Sequence, residues 1–320
     1  MPAAMGGRDL GARPVIIDCD PGQDDAVALL LAFASPAEIE VLGVTTVAGN
    51  VPLEMTERNA RRIRDLAGRG EVGVYAGCAR PLKRELVTAE HVHGKTGIDG
   101  ARLPEPEGEL APLHAVDFLI ESLHSPEAAV TIAALGPLTN IAAALDRVPE
   151  IRRGIGEIVL MGGAIGLGNV TPAAEFNIHV DPDAAQVVFT SGVKITMVGL
   201  DVTHKAIVTP ERLRAIEAIG TPVAAAVSGM LAFAAGRHRG RIGGMGSPLH
   251  DPCVIAYLLD PALFGGREVH VAIETESTLN LGRTVVDWWG VTGKAPNATV
   301  IDGVDADGFF ALLTERLARL

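Results

Sequence analysis

The segment DCDPGQDDA, Asp18 to Ala26, follows directly on the apolar run Val15–Ile17 and leads into VALLLAFAS. The β-branched run reads as a buried strand from Val15 to Asp18, and DDAVALLLAFAS has helical length and composition. Pro21-Gly22 supplies the turn between them. Working outward, EVLGVTTVAG reads as a second strand and MTERNARRIRDLAG as a helix stopped by Gly68. AVTIAAL, EIVLMGG and KITMVGLD read as further buried strands. TPERLRAIEAIG reads as a helix with Thr209 as N-cap and Pro210 at its first position. HDPCVIAYLLDP opens another helix just after Asp251. REVHVAIET and RTVVDWWG form a late antiparallel hairpin, which puts Trp288 and Trp289 in a strand. Residues 84–112 read as a long loop or flap. Strands alternating with helices point to an α/β fold, an open, mostly parallel twisted sheet with helices on both faces, Rossmann-like. No repeat and no Pro/Ser-rich linker interrupts it, so residues 1–320 read as a single domain, with 1–13 a ragged N-terminal lead-in. Such sheets bind ligands beyond the carboxyl ends of their strands, where Asp18–Asp25 falls.

Composition narrows the function. The chain has 320 residues, 48% hydrophobic and 21% charged, with a formal net charge of −12. That is globular composition, and the acidic balance with no basic stripe argues against nucleic-acid binding. No apolar run reaches the ~18 residues of a membrane span. The three cysteines, Cys19, Cys78 and Cys253, are odd in number and widely spaced. They suit neither a disulfide framework nor a thiolate zinc site. The N-terminus lacks a signal-peptide apolar core, so a reducing cytoplasm is the expected address.

Asp18, Asp20, Asp24 and Asp25 place four carboxylates within eight residues at one strand end. Asp18 and Asp20 share a side of the extended chain. Asp24 and Asp25 fall in the first helical turn, about 100° apart around the axis, and can serve different partners. Carboxylates packed so closely repel and raise one another's pKa unless a cation neutralises them. With oxygen the only ligand on offer, a hard divalent ion is the expected cation.

At these residues the sequence resembles the calcium-dependent nucleoside hydrolases of the inosine-uridine-preferring type. The DxDPGxDD stretch is followed in order by TTVAGN ending at Asn50, HGKTG from His93, ALGPLTN ending at Asn140, GNVTPAAEFN from Gly168 to Asn177, and PLHDP around His250 and Asp251. The resemblance spans about residues 14–290. It implies hydrolysis of the N-glycosidic bond between ribose and a nucleobase, through a transition state like an oxocarbenium ion. By the same resemblance Asp20 is the general base and a ligand of Ca²⁺. Asp25, Asp251 and the backbone carbonyl of Leu135 are further ligands. Asp24, Asn50, Asn169, Glu175 and Asn177 bind the ribose, whose hydroxyls suit carboxylates and amides. Phe176 stacks on the base or joins the core. His250 protonates the leaving group, and His93 matches a second histidine of pyrimidine-preferring relatives. A homodimer or homotetramer acting on a small-molecule ribonucleoside is implied.

Relatives often carry tyrosines on the helix ahead of the HD motif. Here MLAFAAGRHRGRIGGMGSPLHDP has none, and His238 falls near one of those positions, inside the basic segment 237–241. His93 and His250 lean towards pyrimidine or broad preference. The adjacent Trp288 and Trp289 do not suit a double-Trp purine sandwich. His91, His114, His124 and His270 have no motif context and read as structural or surface residues. Two rival readings stand beside this one. A haloacid dehalogenase-type phosphatase would use Asp18 as nucleophile and Asp20 as acid/base with magnesium. A non-catalytic nucleoside or ribose binder would keep only the metal site.

Overall fold

In this computed structural model, residues 11–127, 129–237 and 246–320 are described. Eleven strands occur among them: β1 (Arg13–Cys19), β2 (Ile39–Thr46), β3 (Val74–Ala76), β4 (Val130–Ala134), β5 (Ile155–Met161), β6 (Ile195–Val198), β7 (Ile207–Val208), β8 (Ser247–Pro248), β9 (Phe264–Ile273), β10 (Thr284–Asp287) and β11 (Ala298–Val304). Nine of them form one sheet in the order β10-β9-β11-β6-β5-β4-β1-β2-β3. The run from β3 to β6, with β11, is parallel. β9 and β10 add an antiparallel edge. β7 and β8 pair separately.

The pleat of β1 divides the core. Val15, Ile17 and Cys19 face a layer that includes helices Gln23–Phe33, Pro222–Arg237, Pro252–Leu259 and Ala306–Leu317. Ile16 faces the opposite layer with helices Ala115–Ser122, Thr139–Arg147 and Pro182–Thr190. Helix Gln23–Phe33 is buried along almost its whole length. That explains its nearly all-apolar sequence, since a helix apolar all round has no solvent face.

The parallel sheet and two-sided helix cover agree with the sequence reading. β1 extends from Arg13 to Cys19, longer at both ends than Val15–Asp18. Of the expected lead-in, residues 1–10 lie outside the described residues. Thr209 caps its helix by accepting from the Arg212 amide, with Pro210 first. The late hairpin pairs Thr284 with Ile273 as expected, but β10 stops at Asp287. Trp288 and Trp289 therefore lie beyond the strand, where the Arg267 guanidinium stacks over both rings. The sequence reading missed β11 and helix Ala306–Leu317, which enter the sheet and its cover after the hairpin. The 84–112 segment carries one short helix, Glu90–His93, and no strand. No helix among the described residues is long and apolar enough to cross a membrane.

From β1 the chain proceeds to β2 and β3 on one side, while β4, β5 and β6 lie on the other. The gap between β1 and β4 is thus a topological switch point, where a crevice opens at the carboxyl ends of the strands.

Candidate active site

The turn after β1 closes on itself through Asp25. Its carboxylate accepts from the Gly22 amide at 2.9 Å and the Asp20 amide at 3.2 Å, capping the helix it belongs to. The turn after β2 then clasps the first. Asn50 donates its backbone amide to Asp20 Oδ2 at 2.7 Å and its Nδ2 to the Asp20 carbonyl at 3.1 Å and Asp25 Oδ2 at 3.2 Å. Backbone approaches Asp20 from two sides. A Cβ at Gly49 would lie 2.1 Å from Asp20 Oδ2, and one at Gly136 would lie 2.5 Å from Oδ1. Only glycine leaves space for the carboxylate at either place, which accounts for the glycines of TVAGN and ALGPL.

Asp20 and Asp25 are fully buried and Asp251 is nearly so. Burial pushes all three carboxyls up; Asp25 reinforces this at Asp20, and Asp24 at both Asp25 and Asp251. Asp25 itself is pushed to about 7 and shares a side-chain hydrogen bond with Asp251. Asp24, Asp25 and Asp251 each offer an oxygen within 4.8 Å of the others. Asp20 Oδ1 is buried with no hydrogen-bond partner among the described residues. Two touching buried carboxyls and an orphaned carboxylate oxygen are what a divalent cation would stabilise, since otherwise protons must do so. An all-oxygen donor set suits a hard ion.

A cavity opens above this cluster. Its wall includes Asp24, Asn50, Leu135, Asn169, Glu175, Phe176, Asn177, His93, His250 and Asp251. Every expected site residue among the described ones is therefore on the cavity wall or, for Asp20 and Asp25, in the acidic cluster beneath it. Glu175 caps helix Phe176–Val180 by accepting from the Asn177 and Ile178 amides, and it also accepts from Gly163 at 2.9 Å. Burial nevertheless pushes its carboxyl up to about 7. Asn177 Nδ2 donates to the Leu135 carbonyl at 2.8 Å and the Met161 carbonyl at 3.0 Å. The Leu135 oxygen keeps its second lone pair for another partner. Asn169 Oδ1 accepts from the Phe176 amide at 3.0 Å, which folds the GNVTPAAEFN segment over the cavity. Phe176 is half-buried on the wall and does not join the core.

On the other side, His250 Nδ1 lies 2.8 Å from Thr203 Oγ1, and the His204 ring sits 5.7 Å from the His250 ring. Neither Thr203 nor His204 was singled out from sequence. The available signal was their position, in LDVTHK just past the end of β6. His91 is a surface residue, as expected. It is exposed, yet it lines the cavity, because the short helix Glu90–His93 turns its face to the opening. Arg237 Nη1 donates to the His91 carbonyl at 3.2 Å. His114 is structural, capping helix Ala115–Ser122. His238 and residues 239–241 of the basic segment lie outside the described residues. Trp288 and Trp289 do not line the cavity.

Two landmarks prove architectural. Asn140 donates to Asp18 Oδ1 at 2.8 Å and to the Thr46 carbonyl at 3.0 Å, and accepts from the Cys78 amide at 2.8 Å. Asp18 is fully buried, also accepts from Thr45, and does not line the cavity. A nucleophile must reach its substrate, so the phosphatase reading fails here. The three cysteines are free, as expected, and two are buried.

A switch-point cavity with an acidic floor, and with amides, carboxylates and three histidines on its wall, has the makeup of a hydrolase site. The family profile of the inosine-uridine preferring nucleoside hydrolases matches residues 15–311, and the chain belongs to that family of ribonucleoside-hydrolysing enzymes. It is 51% identical over 308 residues to the pyrimidine-specific ribonucleoside hydrolase RihA of Shewanella sp. (strain MR-7), covering 96% of each chain. It is 48% identical over 307 residues to the RihA of Salmonella agona, covering 96% of this chain and 98% of that one. Among solved structures, a purine-preferring ribonucleoside hydrolase from Gardnerella vaginalis superposes with a TM-score of 0.89 at 34% identity, covering 96% of this chain and 98% of that one.

Proposed function

We propose that this enzyme hydrolyses pyrimidine ribonucleosides to ribose and free base, with calcium at the acidic cluster. The observation that carries the reading is the convergence of Asp24, Asp25 and Asp251 oxygens beside the orphaned Asp20 Oδ1, beneath a cavity walled by amides, carboxylates and histidines. Asp20, Asp25, Asp251 and the Leu135 carbonyl would hold the ion. A bound cation there supplies positive charge that keeps the carboxylates ionised and makes a water more acidic. Calcium suits the site because it accepts seven or eight oxygens, more than magnesium does.

The chain's own groups supply the rest. Asp20 takes the proton of the attacking water, its ionised carboxylate lying in the same cluster that would make that water more acidic. Asp24, Asn50, Asn169, Glu175 and Asn177 fix the ribose hydroxyls. Developing positive charge on the sugar is favoured by the surrounding acids. His250, steadied by Thr203, gives a proton to the departing base. His93 and His91 face the base from the flap, and Phe176 offers it an aromatic surface.

Pyrimidine preference is supported by the relatives at about half identity, which carry pyrimidine-specific names, while the purine-preferring structure is more distant. The test is ribose release from uridine, cytidine, inosine and adenosine under one set of conditions. Uridine and cytidine should exceed the purine nucleosides in kcat/KM. A ranking led by inosine or adenosine would overturn the preference, and binding without release from any of them would revive the binding-only reading.

A further inference from the structure

Gln23, in the middle of the acidic turn, has no part in the chemistry above, yet its side chain is buried and fully engaged. It is 3% exposed and opens helix Gln23–Phe33. Its Nε2 donates to two backbone carbonyls of the flap, His93 at 2.8 Å and Asp99 at 3.2 Å. An amide nitrogen has two hydrogens and no accepting lone pair. Turning the amide over would set Oε1 against two carbonyl oxygens, so the network fixes its orientation. Oε1 is thereby directed at His93 Nδ1, 2.7 Å away. A carbonyl oxygen only accepts, so Nδ1 must carry a hydrogen, and in the neutral ring the lone pair belongs to Nε2.

The neighbouring turn is shaped for this contact. A Cβ at Gly22 would lie 2.5 Å from His93 Nδ1, so glycine is what allows the ring to reach Gln23. Asn59 fastens the same two segments, donating Nδ2 to the Pro21 carbonyl at 3.1 Å and the Thr96 carbonyl at 2.7 Å.

We propose that Gln23 is a positioning residue that holds the flap imidazole of His93 on the cavity wall and sets its proton on Nδ1. The turn that presents the acidic cluster to the sugar would then also orient the base-side histidine. The functional half of this inference rests on reading His93 as a contact of the base; the proton assignment does not.

The test begins with the calcium-loaded wild type, labelled with ¹⁵N in its histidine rings and free of substrate. The His93 signals are assigned by their loss in His93→Ala. Above the imidazole pKa the two-bond and three-bond ¹H–¹⁵N couplings should show the Nδ1–H tautomer. The Nε2–H tautomer, which free histidine favours, would overturn the assignment. Gln23→Met, which keeps length and loses all three polar contacts, should raise KM for uridine about tenfold and change kcat less than about threefold, because the ring is misplaced while the acidic cluster is left intact. The same substitution in His93→Ala should change KM less than about twofold, because Gln23 acts through the ring. An undiminished loss there would overturn the positioning role. If Gln23→Met does not fold, the wild-type tautomer still decides. A purine-led ranking would overturn the pyrimidine reading and leave the tautomer result untouched.

Discussion

The floor of the cavity is hung on strand ends, whereas its rim is hung on loops and short helices. Asp20 and Asp25 sit between the turns after β1 and β2, clasped by Asn50 and crowded by Gly49 and Gly136. His91 and His93 stand on a four-residue helix within a long connection, and His250 precedes helix Pro252–Leu259. Parallel strands buried on both faces leave the floor little freedom, so its carboxylates are held close despite their repulsion. The rim is tied by a few side-chain bonds, of Gln23, Asn59 and Arg237. On the proposed reading, the water chemistry rests on the rigid part and base recognition on the part most easily varied.

Substitutions can break this contrast. Asp20→Asn removes the base from the floor, and kcat for uridine should fall about 10³-fold or more; near-normal turnover would refute its role. His250→Ala acts at the rim, and the expected loss is about 10²-fold for uridine. A nitrophenyl riboside, whose leaving group needs no proton, should lose far less, measured side by side. Equal losses would mean that His250 only places the base.

Asn140→Ala tests the support beneath the floor. It strips a donor from buried Asp18 and should cost about 1–3 kcal/mol in denaturant unfolding, with KM for uridine little changed. Glu175 gives the smallest effect. Its carboxyl is raised by burial from 4.5 to about 7, so the folded state holds that proton more tightly than the unfolded chain. Its contribution to stability is full below pH 4.5 and is lost as pH rises through about 7. Thermal melts of Glu175→Gln should therefore decline less than wild type across that window.

The same contrast governs what could be read from the sequence. The acidic turn was legible because four carboxylates beside a buried strand have few structural explanations. The fold followed from it, since β-branched runs alternated with helical ones. The boundaries of β1 and β10 were less legible, because strand ends depend on partners distant in sequence. β11 and the last helix went unread for the same reason, as nothing local marks a strand inserted between β6 and β9. Asn140 stood out as a landmark, but only folding brings it across to brace Asp18. On the rim, His91 carried no motif and reached the cavity through the placement of a short helix. Thr203 and Gln23 are ordinary residues whose roles come from one partner each, His250 and His93.

The most direct test of the central claim follows uridine hydrolysis as divalent cations are removed with a chelator and calcium is then restored. The acidic floor should lose activity on chelation and recover it with calcium. Calcium at about 100 times its dissociation constant should also stabilise the fold by about 2.7 kcal/mol. Full activity after exhaustive chelation, with no change in melting temperature on adding calcium, would contradict a cation-dependent hydrolytic centre at Asp20, Asp25 and Asp251.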